Sequence, residues 1–125
     1  MRRFLDLFEA GDRVAWRDHF DAGVVWDTSA SSLPLAGVYR GHEGVERFFV
    51  DWLSTWDDYR IAHSELIDAD DAVVVVFRQW GTGRASGVSA ERDFFGVYEL
   101  VDRRVVRYRL FDTREEAMGA AGLAG

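Results

Sequence analysis

Residues 42 to 56 carry six bulky apolar side chains on one helical face: Val45, Phe48, Phe49, Trp52, Leu53 and Trp56 recur at the i, i+3, i+4 interval. Glu46, Arg47, Asp51 and Ser54 take the opposite face. A helix with so broad and aromatic a face needs an extended apolar surface to lie on. The rest of the chain has to supply one.

The segment that follows does so. Four strand-like runs, roughly 59–67, 72–80, 90–101 and 104–111, are separated by the turn signals DADD, GTGRASG and VDRR. Connections of hairpin length make them an antiparallel meander. Upstream, Phe4, Leu5, Leu7 and Phe8 mark a helical face in residues 3 to 10; Gly11 ends it, and Asp12 caps a second short helix through Phe20. Residues 24 to 27 read as a short strand, and SASSLPLAG, with the single proline Pro34, as a loop. Thr113 and Glu116 form a capping box for a last short helix, closed by Gly122. The order predicts an α+β domain over residues 1–125, with helices gathered on one face of a strongly curved antiparallel sheet.

The late strands carry bulky apolar groups on both faces, since Asp93, Phe95 and Val97 alternate with Phe94, Tyr98 and Leu100. One face meets the helices. The other meets either a partner subunit, giving a homodimer, or the C-terminal helix.

Composition closes several routes. A chain of 125 residues builds one core, and its 14% aromatic share points to an aromatic interior or a lined cavity. A formal charge of −7 argues against nucleic acid and against an anionic membrane surface as partners. Without cysteine there is no disulfide, thiolate nucleophile or thiolate metal site, which fits a reducing cytoplasm. Asp6, Glu9 and Asp12 interrupt any signal-peptide core, and no apolar run is long enough to span a bilayer. His19, His42 and His63 lack metal-ligand spacing, so no metal site is expected; His42 belongs at the start of the long helix, and His63 fits either face of its strand. GTGRASG precedes a strand and therefore reads as a hairpin, not a phosphate loop. Ser86 and Ser89 have no neighbouring histidine to activate them.

GDRVAWRDHFDAGVVWD, then YRGHEGVERFF, a Val-rich strand, the GTGRASGV hairpin and RRVVRYRLFDTREEAMGAAGL together resemble a SnoaL-like protein. That family lies in the nuclear-transport-factor-2-like superfamily, with ketosteroid isomerase, limonene epoxide hydrolase and polyketide cyclases. The resemblance covers essentially the whole chain. It implies a cone, a bent antiparallel sheet wrapped around helices with a deep apolar cavity at its open end, and homodimers joined through the outer sheet face. It implies no cofactor.

The resemblance also assigns candidate site residues. Asp27 matches the general base of isomerase-like members, and desolvation at a cavity wall would make it a better base. Read locally, Asp27 is an Asx-turn residue ahead of Thr28 and Ser29. Asp112 reads as an inward acid beside Tyr108 or as a helix-capping residue, and Asp93 as a second acid or pocket anchor. Arg78 and Trp80, alternating with Val74 and Val76, would face the cavity, giving a polar anchor within a cage of Trp16, Trp52, Trp80 and Tyr108. The position that matches the isomerase's donor on the first helix holds Phe4, which cannot donate, and no Arg-x-Asp stands where the epoxide hydrolases have one. The chain therefore reads as a pocket protein for a small apolar carbonyl or ring compound, with acid–base chemistry at Asp27, Asp93 and Asp112. The alternative is a non-catalytic ligand-binding or dimerising domain of the same fold.

Overall fold

The computed structural model describes residues 15–32 and 36–123. The expected helix over residues 3–10, with Phe4, and Pro34 lie outside the described residues. A 3-10 helix at Ala15–His19 runs directly into β1 (Phe20–Asp27), so the first strand starts four residues earlier than its apolar run implied.

After β2 (Val38–Arg40), the chain forms α1, Gly41–Ser54. Val45, Phe48 and Trp52 are buried along it, as their spacing requires. Gly44 is needed because a Cβ there would lie 3.2 Å from the backbone of Tyr39. Thr55 ends the helix, its hydroxyl donating to the Trp52 carbonyl at 2.6 Å. Trp56 then opens β3 (Trp56–Ala69) instead of closing the helix. His42 sits in the first turn as expected, with Nε2 donating 2.9 Å to the Phe20 carbonyl.

Strands β4 (Ala72–Gly83), β5 (Ser89–Val101) and β6 (Arg104–Phe111) complete the meander, and α2 (Arg114–Ala120) follows. The β5–β6 turn places Asp102 and Arg103 at φ of 50° and 67°, the paired left-handed residues that a tight, twist-compatible hairpin requires. Between β4 and β5, Gly83 and Gly87 close the GTGRASG hairpin through a 2.7 Å backbone bond.

Six strands form one sheet in the order β2-β1-β6-β5-β4-β3. The expected antiparallel sheet is corrected at one join: β1 pairs with β6 in parallel, so the sheet is mixed. α1 packs against β1 and β2 at one edge and against β3 at the other. The sheet curls around α1, so that residues of β1, β4, β5 and β6 share one buried core with the helix's aromatic face.

Curling divides the apolar groups between two sides. On the inner side Trp26, Phe48, Trp52, Phe77, Tyr98 and Tyr108 are buried together, each ring contributing roughly 1.5–3 kcal/mol of transfer free energy. On the outer side Val74, Val97 and Ala117 form a smaller cluster, with Phe95 and Met118 against it. Part of the second apolar face is thus covered by α2.

Candidate functional site

The inner chamber is built from alternate residues of neighbouring strands. Trp26 enters it from β1 and Thr28 from just beyond that strand, Phe77 and Gln79 from β4, Tyr108 and Leu110 from β6, while α1 adds Phe48 and Trp52. Its free volume is about 40 Å³. A water needs about 10–15 Å³, so the chamber admits a few waters or one small functional group, not a ring. Among the described residues no charged side chain lines it.

A wider mouth of about 230 Å³ continues from the chamber, sharing Trp52, Tyr59 and Gln79 with it. Trp56, Trp80, Phe94 and Ser32 also line it. This falls just below the volumes usual for drug-sized ligands and suits one or two rings. Glu91 and Arg92 also reach the mouth. Both are already engaged, Glu91 with Arg78 at 2.9 Å and Arg92 with Asp112 at 3.2 Å. Arg92 also lies over the Phe94 ring at 4.9 Å.

The chamber's polar groups are neutral. Tyr59 donates its hydroxyl to Oε1 of Gln79, which leaves the Gln79 amide N–H groups for another acceptor. Tyr98 and Tyr108 are cross-strand partners with ring centroids 4.7 Å apart. Burial pushes both phenols up; the neighbouring Tyr108 adds to the rise at Tyr98, and Tyr59 to that at Tyr108. They stay protonated. The Tyr108 hydroxyl has no hydrogen bond among the described residues. The indole N–H of Trp26, which stacks on Tyr108 at 3.8 Å, is buried with no partner. A buried orphan donor costs about 1–3 kcal/mol.

Gly96 seats Tyr108. A Cβ on Gly96 would come within 2.6 Å of Tyr108 Cε1, 3.0 Å of its hydroxyl and 3.1 Å of Phe77 Cε2. The phenol leans across the bare strand at this point.

Several residues expected in the site stand elsewhere. Asp27 lies between Trp26 and Thr28, which both enter the chamber, so its side chain points the other way. It accepts from the Ser29 amide at 2.9 Å and hydroxyl at 2.5 Å, the Asx turn of the local reading. Arg78 is corrected from cavity to outer face. The inward residues of β4 are Phe77 and Gln79, and Arg78 pairs outside with Asp93 and Glu91, both at 2.9 Å. Asp93 therefore shares that exposed face, its side chain 47% accessible. Asp112 does not stand inside beside Tyr108. It sits at the rim, accepting from the Ser32 amide at 3.1 Å and hydroxyl at 3.2 Å. None of the three carboxylates lines the chamber or the mouth.

Trp52 and Tyr108 line the chamber, Trp80 lines the mouth, and the side chain of Trp16 is outside the described residues. His63 pairs with Phe77 across β3 and β4 and so shares its inward face. The residues the sequence did not single out are Trp26, Tyr59, Gln79 and Tyr98. Tyr98 alternates visibly with Leu100, but nothing local marks Gln79 as inward. Among the described residues no group of His, Asp or Glu has the makings of a metal site, and no helix is long and apolar enough to cross a membrane.

Comparison with known proteins fits this geometry. A family model described as SnoaL-like domain matches residues 1–108. An NTF2-like protein from Burkholderia thailandensis E264 superposes with a TM-score of 0.81 at 26% identity, over 97% of this chain and 92% of that one. TerC, co-crystallised with polyporic acid, gives a TM-score of 0.76 at 21% identity over 95% and 92%. A protein of ketosteroid isomerase-like fold from Catenulispora acidiphila DSM 44928, in complex with trimethylamine, gives 0.73 at 10% identity over 97% and 90%. No curated protein sequence matches the chain.

Proposed function

The chain belongs to the SnoaL-like domain family, and on that premise we propose that it binds a small uncharged ring compound at the aromatic mouth. One observation carries this reading: a mouth walled by Trp52, Trp56, Trp80 and Phe94 opens into a chamber that no charged side chain lines among the described residues. Flat aromatic walls favour rings, and burying an ionic group in the chamber without a partner would be prohibitive. That two structural relatives were crystallised with small molecules, polyporic acid and trimethylamine, supports a ligand-binding role.

A second reading, acid–base turnover of the bound compound, draws on Asp112. It touches Ser32 and Arg92, both part of the mouth. Asp27 and Asp93 have no comparable link to it. The reading does not need a homodimer, for which α2 leaves less apolar outer surface than the strands alone suggest.

Titrating tryptophan emission and the thermal midpoint with naphthalene, indole and their carboxylates tests the proposal. The neutral compounds should bind, stabilising the fold by about 2.7 kcal/mol at one hundred times Kd. Trp52→Ala should abolish the effect and Asp27→Asn leave it intact. Failure of every neutral ring compound to bind, or binding indifferent to Trp52→Ala, would overturn it.

A further inference from the structure

One wall of the mouth, Trp56, stands on an irregular corner. The helix ends at Thr55, Trp56 opens β3, and Asp58 takes a left-handed φ of 52° before regular pairing resumes at Arg60. Such a corner does not by itself fix the ring that it carries. The β4–β5 hairpin does. Backbone pairing sets Trp56 opposite Gly83 and Asp57 opposite Thr82. Arg84 then fastens the corner from the tip of the hairpin. Its amide donates to the Thr55 carbonyl at 2.9 Å, its Nε to Asp57 Oδ1 at 3.1 Å, and a terminal guanidinium N–H to the Trp56 carbonyl at 3.2 Å.

Gly81 sets the height of the ring. It follows Phe77 and Gln79 at steps of two along β4, on the face that lines both cavities. Where its side chain would stand, the Trp56 indole lies instead: a Cβ would meet Cε3 at 2.9 Å and Cδ2 at 3.3 Å. Those atoms belong to the rigid fused ring, so an added methyl displaces the whole indole and not a flexible tip. Beneath the indole is the sheet, and beside it Trp52, with ring centroids 5.5 Å apart. The open direction is the mouth, which Gly81 and Trp56 both line.

We infer that Gly81, acting through Trp56, sets the width of the mouth, that Arg84 holds this setting, and that the site thereby selects a flat two-ring compound. This rests on the binding reading above and names the size of ligand that the site takes. With glycine at position 81 the indole lies low against β4 and leaves the mouth its volume of about 230 Å³. Alanine there would lift the indole and leave room for a single ring.

Headspace partitioning of toluene and naphthalene, both volatile and uncharged, over solutions of the protein measures the two affinities directly. The wild-type chain should bind naphthalene about tenfold more tightly than toluene, for the extra apolar area. Gly81→Ala should weaken naphthalene about tenfold, as overpacking does, and leave toluene close to its wild-type affinity. In a Trp56→Ala background the same glycine substitution should change neither affinity, because no ring is left to lift. Arg84→Ala should weaken naphthalene by about two- to fivefold, the range of an exposed arginine pair, and again only while Trp56 is present. Equal loss of both compounds in Gly81→Ala, no loss at all, or a loss that persists in Trp56→Ala overturns the width setting but leaves the pocket standing. Binding of neither compound to the wild-type chain overturns the pocket reading and the width setting together. Should Gly81→Ala not fold, Arg84→Ala with and without Trp56 decides.

Discussion

Gly96 and Tyr108 illustrate how much one missing side chain settles. Both rings that an added methyl would strike, Tyr108 and Phe77, are themselves buried, at 4% and 5% exposure, and cannot swing aside. Gly96→Ala should therefore cost about 1–3 kcal/mol, the usual penalty of overpacking, read as a lower urea midpoint. A midpoint unchanged from wild type would mean that the phenol moves freely.

The same residues set an alkaline limit. Tyr98 and Tyr108 have raised folded-state pKa values, first because burial disfavours the phenolate. Below pH 10 both folded and unfolded chains hold these protons, and stability is unaffected. Above pH 10 the unfolded chain releases them and the folded chain does not, so stability falls by about 1.4 kcal/mol per pH unit for each tyrosine. All fifteen basic residues are arginine, so no lysine titration overlies the effect. Urea midpoints between pH 9 and pH 11 should drop steeply, and Tyr108→Phe should halve the slope. A flat profile would contradict the buried, protonated pair.

Asp27 shows where residue-level reading stops. The turn that it makes with Ser29 was legible, because an Asx turn is local chemistry. Its direction was not, since a strand's phase depends on partners that are distant in sequence. Arg78 is the sharper case. Val73 to Val76 form an unbroken apolar run with no polar marker to say which alternate set is inward, and a slip of one residue exchanges the faces.

At the level of elements, α2 was readable from its ends. Thr113 accepts from the Glu116 amide at 3.3 Å and donates to the Glu116 carboxylate at 2.9 Å. At the other end Gly122, at φ 79°, lets Leu123 and Gly122 bond back to Met118 and Gly119. Seven residues cannot hold a helix in water unaided, and Ala117, fully buried, anchors it to Val74 and Val97. Thr113→Ala should cost about 1 kcal/mol and speed amide exchange in α2 ahead of the inner strands. Equal protection in both variants would show that the cap is idle. By contrast β2 escaped notice because three residues beside a Gly- and Pro-containing loop carry no periodicity. The bulge between His63 and Glu65 and the one between Glu99 and Leu100 reverse the alternation partway along their strands. No count of alternate residues survives such a reversal.

For the whole molecule, the curl of the sheet around α1 converts one aromatic helix face into a wall shared by both sheet edges. The amphipathic helix announced the need for such a surface, and the four-strand meander supplied most of it. What the sequence withheld was closure, because β1 and β6 meet in parallel across about eighty residues of chain, and nothing short-range encodes that meeting. This join has a consequence for synthesis. While a ribosome adds roughly 5–20 residues per second, the edge of β1 that β6 will cover waits several seconds for its mate to emerge. Trp26, stacked in the finished protein on Tyr108, stays without that neighbour throughout. The newborn chain is thus at its stickiest along the strand it made first.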